Sequence, residues 1–135
     1  NPDDAVTDEN LADSAAFVRS LAAKAGCVVA VTGAIDLIAD ADSAYAVLNG
    51  VAVMGKVTGT GCMLSAITPA FLVAHADALE AAVAAVSAMG LAGQVAASRM
   101  GELDGNGSFR TYLLDALYNM TPEQLAAGAL VEKVA

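Results

Sequence analysis

At 135 residues the chain has a one-domain length that can bury a usable core, and residues 1–135 are read as a single domain. Its 6 Lys+Arg stand against 15 Asp+Glu, a net charge of −9, so nucleic acid is not an expected partner. Any phosphate would have to be held by backbone dipoles and a metal rather than by a basic surface.

Hydrophobic residues make up 57% of the chain and mean hydropathy is +0.60, but much of this is alanine. The one long apolar stretch, 78–100, carries Glu80, Ser87, Gln94, Ser98 and Arg99 and is dominated by small residues. A spanning helix needs about 20 strongly apolar residues, so the stretch predicts a helix packed closely on several sides, with no membrane contact. The 2 cysteines, Cys27 and Cys62, make no disulfide framework, and no signal peptide is evident, so a reducing cytoplasm is the expected compartment. The opening Asn1-Pro2-Asp3-Asp4, without methionine, reads as a chain whose beginning lies elsewhere.

In chain order, Leu11, Ala15, Val18, Ala22 and Ala25 have helical spacing over 10–25, and Gly26 is placed as the C-cap. Asp3, Asp4, Asp8, Glu9 and Asp13 are expected on a solvated face. The apolar run Cys27-Val28-Val29-Ala30-Val31 predicts a strand covered on both faces, with Cys27 buried in it. A helix followed so closely by a strand points to an α/β layer fold. Residues 35–39 and 45–49 predict short strands around the turn Asp40-Ala41-Asp42-Ser43, and Asn49-Gly50 predicts a hairpin into a further strand over 51–54, so the middle holds antiparallel pairs and the sheet is mixed. Helix 63–74 follows, with Pro69 expected to kink or shorten it because that residue cannot donate to the Ser65 carbonyl. Asp77 with Glu80 resembles a capping box for the alanine-rich helix. A glycine-rich loop fills 101–107, an amphipathic helix 109–119, and Thr121-Pro122-Glu123-Gln124 is a strong helix start. Residues 130–134 predict a last edge strand.

The chemistry concentrates at Val57-Thr58-Gly59-Thr60-Gly61-Cys62, where two glycines mark a turn into an apolar helix. Backbone N–H groups there can point together at an anion, aided by the helix dipole, and glycine permits both the tight turn and close backbone approach. A bare G-x-G also marks many turns that bind nothing, and no Gly-Lys-Ser/Thr follows to make a Walker loop. Cys62 has three readings: a general base for an attacking hydroxyl, a nucleophile lacking a partner base nearby in sequence, or a small buried hydrophobe. Thr32-Gly33 ends an apolar strand, where open α/β sheets place ligands; a hydroxyl capping a turn is the alternative. His75 closes the helix that Cys62 opens, too far along it for a Cys–His pair. Asp36 and Asp40 lie nearer a site but carry no metal spacing; Arg99 and Arg110 flank the last glycine loop, where they could meet a phosphate, and a solvated surface role is the reading preferred for each.

Three segments carry a resemblance. Val28-Val29-Ala30-Val31-Thr32-Gly33, then Lys56-Val57-Thr58-Gly59-Thr60-Gly61-Cys62-Met63-Leu64-Ser65-Ala66, and Gly105-Asn106-Gly107-Ser108-Phe109 together resemble the hydroxyethylthiazole kinase family. The resemblance implies a ribokinase-like layered α/β fold with a mixed, mainly parallel sheet flanked by helices, of which this chain is the carboxyl-terminal part. It further implies ATP- and magnesium-dependent phosphorylation of the hydroxyl of 4-methyl-5-(2-hydroxyethyl)thiazole in thiamine salvage. By matching motif, Thr32 and Gly33 would bind ATP, Gly59 would line the thiazole site, and Cys62 would occupy the base position, which most ribokinase-like enzymes fill with aspartate. The amides of Thr60, Gly61 and Cys62 would form the anion hole, and the assembly would be a homotrimer with sites between subunits. The metal ligands are left unassigned. The family's enzymes are considerably longer, and their third motif usually carries proline where Asn106 stands, a change expected to leave that loop freer. Other readings are a kinase of the same fold acting on another small alcohol, a non-catalytic nucleotide-binding or assembly module, and a thiol-dependent hydrolase.

Overall fold

Five helices pack around a four-stranded sheet in the computed structural model, which describes residues 6–135; Asp3 and Asp4 lie outside the described residues. Helix α1 (Leu11–Ala25) turns Ala15, Val18 and Ala22 inward, as its spacing predicts. Gly26 ends it in the left-handed region at φ 65°, its N–H donating to the Ala22 carbonyl. Asp8, Glu9 and Asp13 are exposed.

Strands β1 (Val29–Val31), β2 (Asp36–Ala39), β3 (Ala44–Val47) and β4 (Val131–Lys133) lie in that order across the sheet. All three pairings are antiparallel, with Val31 opposite Leu37, Asp36 opposite Val47 and Val47 opposite Val131. The antiparallel pair expected of the middle of the chain is present, and the described strands include no parallel pair of the mixed, mainly parallel sheet that the resemblance implies. The short connections 32–35 and 40–43 cannot carry a parallel crossover, which takes a dozen or more residues. In the second turn the Asp40 carboxylate accepts the N–H groups of Asp42 and Ser43 at 2.8 and 2.7 Å. These bonds hold its carboxyl below the usual range.

Strand β2 is sealed on both faces. Leu37 and Ala39 pack with Ala15 and Val18 of α1, while Ile38 meets Leu79, Ala82 and Val86 on the other side. The 27–31 run is not the doubly covered strand expected: β1 is an edge strand, Ala30 and Val31 are exposed, and Cys27 is exposed outside the strand. An apolar run cannot by itself distinguish a central strand from an edge.

The strand expected over 51–54 is instead part of a 3-10 helix over Ala52–Lys56, and Asn49-Gly50 makes no hairpin. The place beside β3 is taken by the chain's end, where the Leu48 N–H donates to the Leu130 carbonyl. Asn49 turns its side chain inward, and Gly50, at φ 139°, carries the chain out of the sheet.

Helix α2 (Thr60–Ala74) runs through Pro69 rather than stopping there. Helix α3 (Ala78–Arg99) starts on the Asp77 carboxylate, which accepts the Glu80 N–H at 2.8 Å. It is the one described helix long and apolar enough to cross a membrane, and 67% of its most apolar window is buried inside the protein, as befits a core helix. Helices α2 and α4 (Asn106–Asn119) pack against it, and Met89, Ala92 and Ala96 meet Phe109, Leu113 and Ala116 of α4. Helix α5 (Pro122–Gly128) opens on the Thr121 hydroxyl, which accepts the Gln124 N–H.

Candidate active site at the glycine turn

Gly59 stands at φ 101°, a conformation open to glycine and costly for other residues, and it aims the chain into α2. The first intrahelical bond runs from the Met63 N–H to the Gly59 carbonyl at 2.9 Å. The amides of Thr60, Gly61 and Cys62 precede it, so they have no partner within the helix, and no side chain caps this end. The Thr60 hydroxyl is turned back, within 3.2 Å of the Met54 carbonyl and 3.4 Å of that of Val57. The helix start is thereby tied to the 3-10 segment that precedes it, and its free amides form the positive end of the helix dipole.

Thr60 and Gly61 line a cleft of about 550 Å³. One side is the β1–β2 turn, with Thr32 and Gly33 after β1 and Asp36 at the head of β2; another is the segment from Asn49 to Gly55; Thr60 and Gly61 close the third, over a floor of Val86, Met89 and Gly90 from α3. The first and second motifs, far apart in sequence, thus meet at one cavity. The third does not line the cavity, but its Asn106 side-chain amide donates to the Lys56 carbonyl at 3.0 Å. Asn106, the first residue of α4, is thereby bonded to the segment that leads into the glycine turn.

Thr32 and Gly33 are exposed at the rim, and the Gly33 N–H donates to Asp36 Oδ1 at 2.8 Å. Burial pushes the Asp36 carboxyl above its ordinary value, and the Gly33 hydrogen bond draws it partly back. Gly59 and Cys62 adjoin the lining without belonging to it, and Cys62 is exposed on the first turn of α2. The small buried hydrophobe is thus not what Cys62 is.

His75 sits at the far end of α2, 3.4 Å from the Glu80 carboxylate. Arg99 pairs with Asp115 at 3.4 Å and lies over the Tyr112 ring, and Arg110 is exposed; neither lines the cleft. Among the described residues no three His, Cys, Asp or Glu side chains converge as a metal cage. Asp36 is the single carboxylate of the lining.

Sequence reasoning missed Asn49 and Gly90 as parts of this site. Asn49 was legible only as a turn residue, and the signal for Gly90 was a pair of glycines one turn apart in a helix otherwise rich in alanine.

A family model described as the hydroxyethylthiazole kinase family matches residues 4–123. Hydroxyethylthiazole kinase of Clostridium acetobutylicum is 44% identical over 130 residues, covering 96% of this chain and 48% of the relative. Hydroxyethylthiazole kinase 2 of Methanosphaera stadtmanae is 42% identical over 125 residues, covering 91% and 44%. The solved hydroxyethylthiazole kinase of Pyrococcus horikoshii OT3 superposes with a TM-score of 0.82 at 34% identity, covering 91% of this chain and 47% of that one. The layered α/β fold is therefore shared, and the chain spans about half the length of the relatives it matches. The chain belongs to the hydroxyethylthiazole kinase family.

Proposed function

We propose that this chain is the carboxyl-terminal part of an ATP-dependent kinase that phosphorylates the hydroxyl of 4-methyl-5-(2-hydroxyethyl)thiazole in thiamine salvage. The observation that carries the reading is the meeting of the β1 end with the start of α2 on one cleft of ligand size. The amides of Thr60, Gly61 and Cys62 hold the charge that builds on the transferring group, while Thr32 and Gly33 take the nucleotide and Gly59 borders the thiazole. Stabilising charge on the phosphoryl oxygens is the main task in such a transfer. The alcohol oxygen bonds to the γ-phosphorus as the bridging P–O bond breaks, ADP leaves, and the hydroxyl proton passes to the group at position 62. Magnesium bound to the nucleotide would neutralise phosphate charge. The enzyme works in the cytoplasm as a homotrimer, for which exposed apolar side chains such as Phe17, Leu72 and Val73 offer contact surface.

The test is ADP release by the full natural polypeptide with Mg-ATP, with and without the thiazole alcohol, with the product weighed by mass spectrometry. Alcohol-dependent release with phosphorylated thiazole is the expected result. Nucleotide binding without it would overturn the reading in favour of another acceptor or a non-catalytic module.

A further inference from the structure

Glycine is a poor helix former, yet α3 carries Gly90 and Gly93, both buried and one turn apart on the same face. Both are filled from one segment. A Cβ on Gly90 would lie 2.6 Å from the Asn49 carbonyl oxygen and 2.7 Å from its carbon, so the backbone of residue 49 rests directly on the helix. A Cβ on Gly93 would fall on the Met54 sulfur. Between these two seats runs the wall of the cleft.

The near end of that wall is locked. Asn49 is 4% exposed, and its amide donates to Gln94 Oε1 at 2.7 Å and to the Gly128 carbonyl at 2.9 Å. Its Oδ1 accepts the Leu130 N–H at 2.7 Å. The far end holds the site, since the Met54 carbonyl lies within hydrogen-bonding reach of the Thr60 hydroxyl at the head of α2.

We propose that Gly90 and Gly93 are positioning residues: with Asn49 they form a seat on α3 that fixes residues 49–56 and, through Met54 and Thr60, sets the pose of the glycine-turn amides. The seat itself is independent of the substrate; its catalytic consequence rests on the kinase reading above. A side chain at 90 meets backbone, whereas one at 93 meets a flexible thioether that can be shortened. The second site therefore gives the cleaner experiment.

Gly93→Ala, Met54→Ala and the double variant would be compared with the unaltered full natural polypeptide by hydrogen exchange, following the Met63 amide bonded to Gly59. Gly93→Ala is expected to accelerate exchange there about tenfold while leaving the buried turns of α4 unchanged. Adding Met54→Ala, which empties the seat, is expected to return the rate to within about threefold of the Met54→Ala protein. No acceleration in Gly93→Ala, equal acceleration in α4, or no rescue would each overturn the seat. If turnover is present, Gly93→Ala should lower kcat about tenfold at temperatures well below the thermal midpoint, which overpacking lowers only modestly. Absence of turnover in the unaltered protein strikes the kinase reading alone, because the exchange result does not depend on it.

Discussion

Asp36 shows how one residue at the cleft couples folding to pH. Its carboxyl is raised chiefly by burial, against the pull of the Gly33 N–H. The folded state thus holds the proton more tightly than the unfolded one, and stability falls as pH rises from the ordinary value of 3.8 through the raised one. Asp36→Asn keeps an oxygen for the Gly33 N–H and removes the charge. Its thermal midpoint should exceed that of the parent at neutral pH, and the difference should close well below pH 3.8. A variant midpoint lower at neutral pH would contradict this assignment. Asp104 behaves in the opposite sense: the Gly101 N–H, the Ser108 hydroxyl and the Tyr112 hydroxyl hold its carboxyl below the usual range. At this scale the sequence was informative about type more than about surroundings. It marked Thr32, Gly33, Thr60 and Gly61, which share the cleft, but the edge exposure of Cys27 and the inward turn of Asn49 depend on neighbours distant along the chain.

Elements defined by local chemistry were the most legible. Asp77 and Thr121 cap α3 and α5 by the bonds their spacing predicts, and Gly26 closes α1. Asp77→Ala should cost about 1 kcal/mol, read as a shift in denaturation midpoint, and Asp77→Ser should recover most of it. Equal loss in both variants would mean that the carboxylate acts otherwise than as a cap. Helix α4 follows the same logic, burying Phe109, Leu113 and Ala116 at helical intervals. The segment 51–54 was not legible, because its apolar residues fit a strand or a turn equally well. What decided it was tertiary: β4 took the position beside β3, and α3 offered Gly90 and Gly93 as a seat. The packing of α3 on several sides was legible from its small residues, although their individual partners were not.

Across the whole molecule, the layered α/β class was legible, and so were the antiparallel pairs in the middle of the chain. The resemblance implies a mixed, mainly parallel sheet, of which the described strands form an antiparallel part: β1, β2 and β3 pair through short turns, and β4 returns from the far end of the chain to pair with β3. The layered fold and the family stand, with a TM-score of 0.82 to a hydroxyethylthiazole kinase of which the chain matches 47%. What the short connections preserve is the convergence that matters for chemistry: the end of an edge strand, a wall resting on a glycine seat, and a helix head with free amides around one cavity. The central claim is that this cavity holds phosphate. It is tested most directly by following the backbone amide resonances of the isotope-labelled full natural polypeptide as Mg-ATP is added. The largest shifts should fall on Thr60, Gly61 and Cys62, accompanied by Thr32 and Gly33; shifts confined to residues away from the cleft would contradict the account.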